Sequence, residues 1–228
     1  MRLKILIKNC ILQKNKIHMP RKVVQGPIRD KEKTKQKLLA AVGKILRVKG
    51  YSGLKVSKIA AVAGFDKKLI YEYFGSTEKL IDEYIKSQDY WTKINQNVEV
   101  DLSDGGKELS KLALLNQFDS LKKNKELQKI ILWELSESKP ILRKLVEQRE
   151  EVGDVMFKHI TDPYFGEDAT RYRAIMALII SGAYYLNLYT GYNASKFCGI
   201  DLKTDEGRSE IEKALVEIID FAYQKKNA

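Results

Sequence analysis

The stretch from Val56 to Leu80, VSKIAAVAGFDKKLIYEYFGSTEKL, limits what this chain can fold into more than any other. Val56, Ile59, Ala60 and Ala63 recur at helical spacing and predict a short helix with one apolar face. Gly64 follows at once, and glycine there supplies the left-handed residue that stops a helix. Asp66 can open a second short helix by accepting a first-turn backbone N–H. Ile70 and Phe74 lie four apart and pack back. Lys67, Lys68, Tyr71 and Tyr73 are left toward the other side or the ends. Two short helices joined by such a turn make a helix-turn-helix, whose second helix enters the DNA major groove. Helix, glycine, helix is also common in any all-α protein, so the pattern alone leaves a plain packing role open. The exposed residue types tip the balance, because lysines and tyrosine hydroxyls seek phosphate where an ordinary surface helix would mix charges.

Charge supports that reading. The net charge of +11 is unevenly placed: +10 over residues 1–37, +5 over 38–80 and −4 over 81–228. Clustered basic charge is the electrostatic footprint of a DNA-binding face, since each neutralised phosphate releases counterions. A solvated basic tail would look the same on charge alone. The 228 residues make one large domain or two small ones, and 44% hydrophobic residues can support a sizeable core. With 4 Pro and 14 Gly there is little room for a turn-rich β-sandwich, so the fold class expected is all-α. Cys10 and Cys198 are far apart and belong to no metal-spaced pair, and His18 and His159 form no cluster. Free thiols in a reducing cytoplasm are the simpler reading.

Taken in order, residues 1–33 are expected to be a basic, disordered arm, in which Arg21, Lys22 and Arg29 can reach the minor groove or phosphates. No apolar run there has the length of a signal-peptide core, and translation is expected to start at either Met1 or Met19. A first helix is predicted from Thr34 to Val48, with Leu38, Val42, Ile45 and Leu46 on its stripe. Ser76 or Thr77 caps a helix running through Trp91 to about Asn97. A loop over 98–105 precedes helices at about 106–124 and 126–136. Another begins at Pro140, where a first-turn proline is tolerated, and ends near Thr161. Residues 168–190 are the most apolar part, and their apolar run, Ala174 to Leu188, is shorter than the roughly 18 residues expected of a membrane span and is interrupted by Ser181, Gly182 and Asn187. A helix apolar nearly all round must be covered on most sides. The last helix, about Asp205 to Lys225, is amphipathic along Ile211, Leu215, Ile218, Ile219 and Ala222.

Gly50-Tyr51, Ile59-Ala60, Ala63-Gly64-Phe65, Ile70-Tyr71, Tyr73-Phe74 and Ser76-Thr77-Glu78-Lys79-Leu80 occur in the order and spacing of a known family. Residues 34 to 81 resemble the amino-terminal domain of TetR-type transcriptional regulators. The resemblance implies a three-helix DNA-binding domain at 34–81 and a larger helical effector-binding and dimerisation domain at 82–228. It implies a homodimer paired through the helices near 168–190 and 205–225, and a double-stranded palindromic operator as partner. It also implies a small-molecule effector. The residues expected at DNA are Lys55, Ser57, Lys67, Lys68, Leu69, Tyr71, Glu72, Tyr73 and Thr77. This chain departs from its relatives here. Lys68 and Leu69 stand where the family has a small residue and a Thr, and Thr77 stands where it has a phosphate-binding Lys. The family's individual base contacts therefore do not carry over.

No Gly-rich phosphate loop, GxSxG, HExxH or CxxC occurs, so no enzyme chemistry and no cofactor or metal are expected. Trp91, Phe118, Trp133, Tyr184, Tyr185 and Tyr189 either line an effector pocket or fill the core, and helical spacing does not separate the two. The function expected is a cytoplasmic, DNA-binding, ligand-responsive repressor without membrane contact. The alternatives are a helical interaction module or a helical enzyme without specific DNA binding.

Overall fold

The computed structural model describes residues 27–88, 102–192 and 194–226. Helix α1 (Pro27–Lys49) starts seven residues before the expected Thr34. Its first residue is a proline, which lacks the N–H that a first turn leaves unpaired. Leu38, Val42, Ile45 and Leu46 are buried along its length, as the stripe requires. Helices α2 (Val56–Ala63), α3 (Lys68–Phe74) and α4 (Thr77–Ser87) follow. Helix α4 ends at Ser87, and residues 89–97 of its expected continuation lie outside the described residues. Gln88 is extended, at φ −93° and ψ 99°, and ends the helix after 11 residues. Trp91 lies outside the described residues.

The remainder is α5 (Lys107–Lys123), α6 (Lys125–Ser136), α7 (Pro140–Met156), α8 (Ala169–Tyr192) and α9 (Asp205–Lys226). A π-helical turn, Phe157–Thr161, and one α-turn, Asp162–Phe165, join α7 to α8. Two-residue strands β1 (Lys196–Phe197) and β2 (Ile200–Asp201) pair antiparallel between α8 and α9. This hairpin has no counterpart in the sequence expectations. Its turn is Cys198-Gly199, both at positive φ, so a cysteine fills a position usually marked by Asn or Asp.

Two hydrophobic cores divide the chain. The first joins α1–α4 to Leu127, Ile130, Ile131 and Trp133 of α6, Ile141, Leu142 and Leu145 of α7, and Leu188 near the end of α8. The second packs Leu114 and Phe118 of α5 against Tyr172, Met176, Ile179 and Ala183 of α8 and Leu215, Ile219 and Tyr223 of α9. In it Phe165 stacks on Tyr172, with ring centroids 4.1 Å apart. Four buried polar side chains there are paired with one another or with backbone carbonyls. The Tyr172 hydroxyl donates to Ser110 Oγ (2.9 Å), and the Tyr223 hydroxyl donates to the Gly105 carbonyl (3.0 Å). Asn187 and Arg208 both donate to the Phe118 carbonyl.

Candidate DNA interface and effector cleft

Helices α2 and α3 meet at about the turn their sequence dictates. Gly64 takes φ 76°, and its N–H reaches the Ala60 and Ala61 carbonyls. A side chain at that φ would be strained, so glycine is required. Asp66 Oδ1 accepts from the Lys68 N–H at 2.7 Å, the expected bond to a first-turn N–H, but the helix starts at Lys68 and Lys67 rather than Asp66 takes the N-cap position. Ile70 is fully buried and Phe74 is 7% exposed, which fixes the phase of α3.

That phase leaves Lys67, Lys68, Tyr71 and Glu72 exposed on one surface, with Leu69 and Tyr73 half-buried beside them. Lys55 and Ser57 are exposed at the start of α2. Thr77 is half-buried in the first turn of α4, next to Ser76, whose Oγ accepts from the Lys79 N–H at 3.2 Å. A hydrogen bond from its own backbone and one from Ser76 hold the Glu78 carboxyl below its usual range. Lysines of α1 line the rim. Lys31 sits over the Tyr73 ring (5.1 Å) and Lys35 over Phe74 (5.5 Å). Lys67, Lys68, Tyr71 and Glu72 thus lie at or on one short helix seated on a buried base of Ile70 and Phe74. The lysines and Tyr71 offer N–H and O–H donors, with Glu72 as the acid able to accept from cytosine.

A second feature lies beside the second core. A cleft of about 940 Å³ runs between the later turns of α7 and the facing sides of α5 and α8. Its apolar lining includes Leu114, Val146, Phe157, Met176 and Ile180. Gln117 Nε2 donates to the Tyr184 hydroxyl inside it. Burial raises the pKa of Tyr184, so the phenol keeps its proton. Both arginines of the lining are held by acids. Arg149 pairs with Glu134 (3.0 Å), and Arg173 pairs with Asp154 (2.9 Å) and Asp162 (2.6 Å). Burial raises the pKa of Glu134 despite Arg149.

Of the aromatics expected either at a pocket or in the core, Tyr184 lines this cleft. Phe118 is buried in the second core with the Arg208 guanidinium 3.9 Å above its ring. Trp133 is buried in the first core, stacked on Tyr51 at 5.4 Å. Tyr185 is exposed and packs with Tyr189 and Phe197. Gln117, Arg149 and Arg173 were not singled out from the sequence. Nothing local marks them, because the cleft is assembled from three separate stretches of the chain, at 113–117, 146–157 and 173–184.

Comparison with known proteins finds a family match within the helix-turn-helix region. Residues 38–84 match the family described as bacterial regulatory proteins, tetR family. No curated protein matches the chain. Among solved structures, the fatty acid degradation regulator FadR from Bacillus halodurans superposes with TM-score 0.51 at 20% identity, covering 85% of this chain and 97% of that one. NalD, the secondary repressor of the MexAB-OprM multidrug efflux pump in Pseudomonas aeruginosa, gives TM-score 0.50 at 20% identity, covering 83% and 95%. Such likeness establishes the shared fold.

Proposed function

We propose, from the premise that this chain carries the DNA-binding domain of the tetR-family regulators, that it is a cytoplasmic homodimeric repressor of transcription. It binds a palindromic operator and releases it when a small molecule fills the cleft. The observation that carries this reading is the exposed array of Lys67, just before α3, and Lys68, Tyr71 and Glu72 on it, held by the buried Ile70 and Phe74. The lysines engage phosphate, and Lys68 and Glu72 are suited to base edges. A dimer presents two such helices one DNA turn apart, about 34–36 Å.

Self-association is supported by the outer faces of α8 and α9. Leu178 is 73% exposed and Phe221 66%, with Tyr185 and Ile218 exposed beside them. Nothing of the same chain lies within 4 Å of a Cβ built on Gly182, so a second helix can approach closely there. By length and composition the apolar run of α8 also passes for a membrane span. Its opposite face, with Tyr172, Met176, Ala183 and Asn187, is buried against the rest of the protein, which favours a second copy over lipid as the cover. Leu178→Glu is expected to give monomers by light scattering, with operator affinity lost alongside.

The cleft has the size of a small-molecule site and an apolar body with the Gln117–Tyr184 pair as a polar anchor. Its walls are α5 and α8 of the second core and α7, whose first turns belong to the first, so a ligand wedged there favours a different placement of the first core on the second. The shift it produces is limited by its differential affinity for the two placements. Selection of bound duplexes from a random DNA pool tests the proposal. A palindromic consensus with half-sites one turn apart supports it, and a pool that stays random after repeated rounds overturns it.

A further inference from the structure

Helix α6 belongs to the region after the DNA-binding domain in sequence, yet its first turn is joined to that domain by a buried carboxylate. Glu126 is 6% exposed. Its Oε2 accepts from Arg47 Nη1 of α1 at 2.8 Å, and its Oε1 accepts from the Tyr84 hydroxyl of α4. The two partners are 79 and 42 residues away in sequence. The chain makes room for the contact: a Cβ at Gly43 would stand 2.2 Å from the Tyr84 oxygen, so α1 carries no side chain there. Burial and the Glu126 carboxylate both raise the Tyr84 pKa, so the phenol stays a donor. The rest of this joint is apolar, with Ile45 and Leu46 in the same core as Leu127 and Ile130. Apolar contact is non-directional and tolerates sliding. Charge-assisted hydrogen bonds are directional.

We infer that Glu126 is a positioning residue for operator recognition: through Arg47 and Tyr84 it sets the angle at which the DNA-binding domain stands on α6. It touches neither DNA nor the cleft. Fixing that angle fixes the separation of the two α3 helices in the dimer, and with it the preference for an operator over other DNA. The inference rests on the regulator reading and adds to it the residue that sets the geometry.

Glu126→Gln removes the charge with little change of shape, and half-exposed Arg47 can rehydrate. Tyr84→Phe removes one hydrogen bond and keeps the ring. The full-length wild type is first titrated with its selected duplex and with a shuffled duplex of equal length; absence of preference there removes the regulator reading itself. Each variant is then measured below its melting temperature. Both are expected to bind shuffled DNA with the wild-type salt slope and to lose operator preference by a factor of about 5–150, the usual size of coupling between sites. Spin labels on α3 of the two protomers should report a broadened distance distribution. Lowered melting temperatures with wild-type operator preference in both variants would make Glu126 merely structural and overturn the inference. Failure of both variants to fold would do the same.

Discussion

The two cores are built from different materials and answer to different demands. The first, around α1–α4, is aliphatic at its centre: Leu38, Val42, Leu46, Ile59, Ile70 and Leu80 are almost fully buried. The second is aromatic and threaded with satisfied polar groups, from Tyr172 on Ser110 to Arg208 over Phe118. Aliphatic side chains suit three short helices that must present a small convex surface. The aromatic core holds long helices in register, because each buried hydroxyl or guanidinium permits few arrangements. The sequence suggests a division near residue 81, and across it α6 and the first turns of α7, through Ile141, Leu142 and Leu145, share the core of α1–α4.

The largest expected effect separates the cores directly. Phe118→Ala in the second and Phe74→Ala in the first should each cost roughly 3–5 kcal/mol. Below the melting temperature, Phe118→Ala should keep salt-dependent binding to any duplex, and Phe74→Ala should lose it. Equal loss in both, by fluorescence anisotropy beside thermal melts, would break the distinction. Next is Lys68→Ala, titrated against single-base operator variants. Base reading predicts a loss of about 1–3 kcal/mol of discrimination at one position of each half-site. An even fall across all variants would assign Lys68 to phosphate.

Part of this was legible beforehand for a plain reason. The phase of α3 follows from local spacing, and Ile70, Phe74 and Gly64 do what their positions require. The ends of α5, α6, α8 and α9 fall within a few residues of expectation for the same reason. Long-range partners were not legible. Phe118 and Tyr184 are alike as aromatics at helical spacing, and only Arg208, 90 residues from Phe118, and the packing of α5 on α8 send one inward and the other to the cleft. Glu126 reads as an ordinary first-turn acid until Arg47 and Tyr84 are brought to it. The early end of α4 also carries no clear local signal.

Smaller effects sharpen the contrast. Lys67→Ala should weaken binding to all sequences and flatten the salt slope by about 1, with melting temperature unchanged. An unchanged slope would remove Lys67 from the interface. In the second core, Asp220 bridges α9 to Lys107 and Lys111 of α5, both at 2.8 Å. Hydrogen bonds from Lys107 and then Lys111 hold its carboxyl below the usual range. A depressed acid contributes stability above its unfolded pKa and loses it as pH falls through the folded value. Because the bridge is partly exposed, Asp220→Asn should cost less than about 1 kcal/mol at neutral pH. That cost should vanish in acid, where the wild-type carboxylate is also protonated. A pH-independent difference in denaturant melts would contradict the assignment.

The central claim is that α3 reads DNA sequence from a dimer. The most direct test titrates the selected palindromic duplex, the same duplex with its half-site spacing lengthened by five base pairs, and a shuffled duplex, at several salt concentrations. Half a helical turn puts the second half-site on the opposite face of the DNA. The account predicts tight binding of the first alone, with two chains per duplex and parallel salt slopes for all three. Equal affinity for all three duplexes would contradict it.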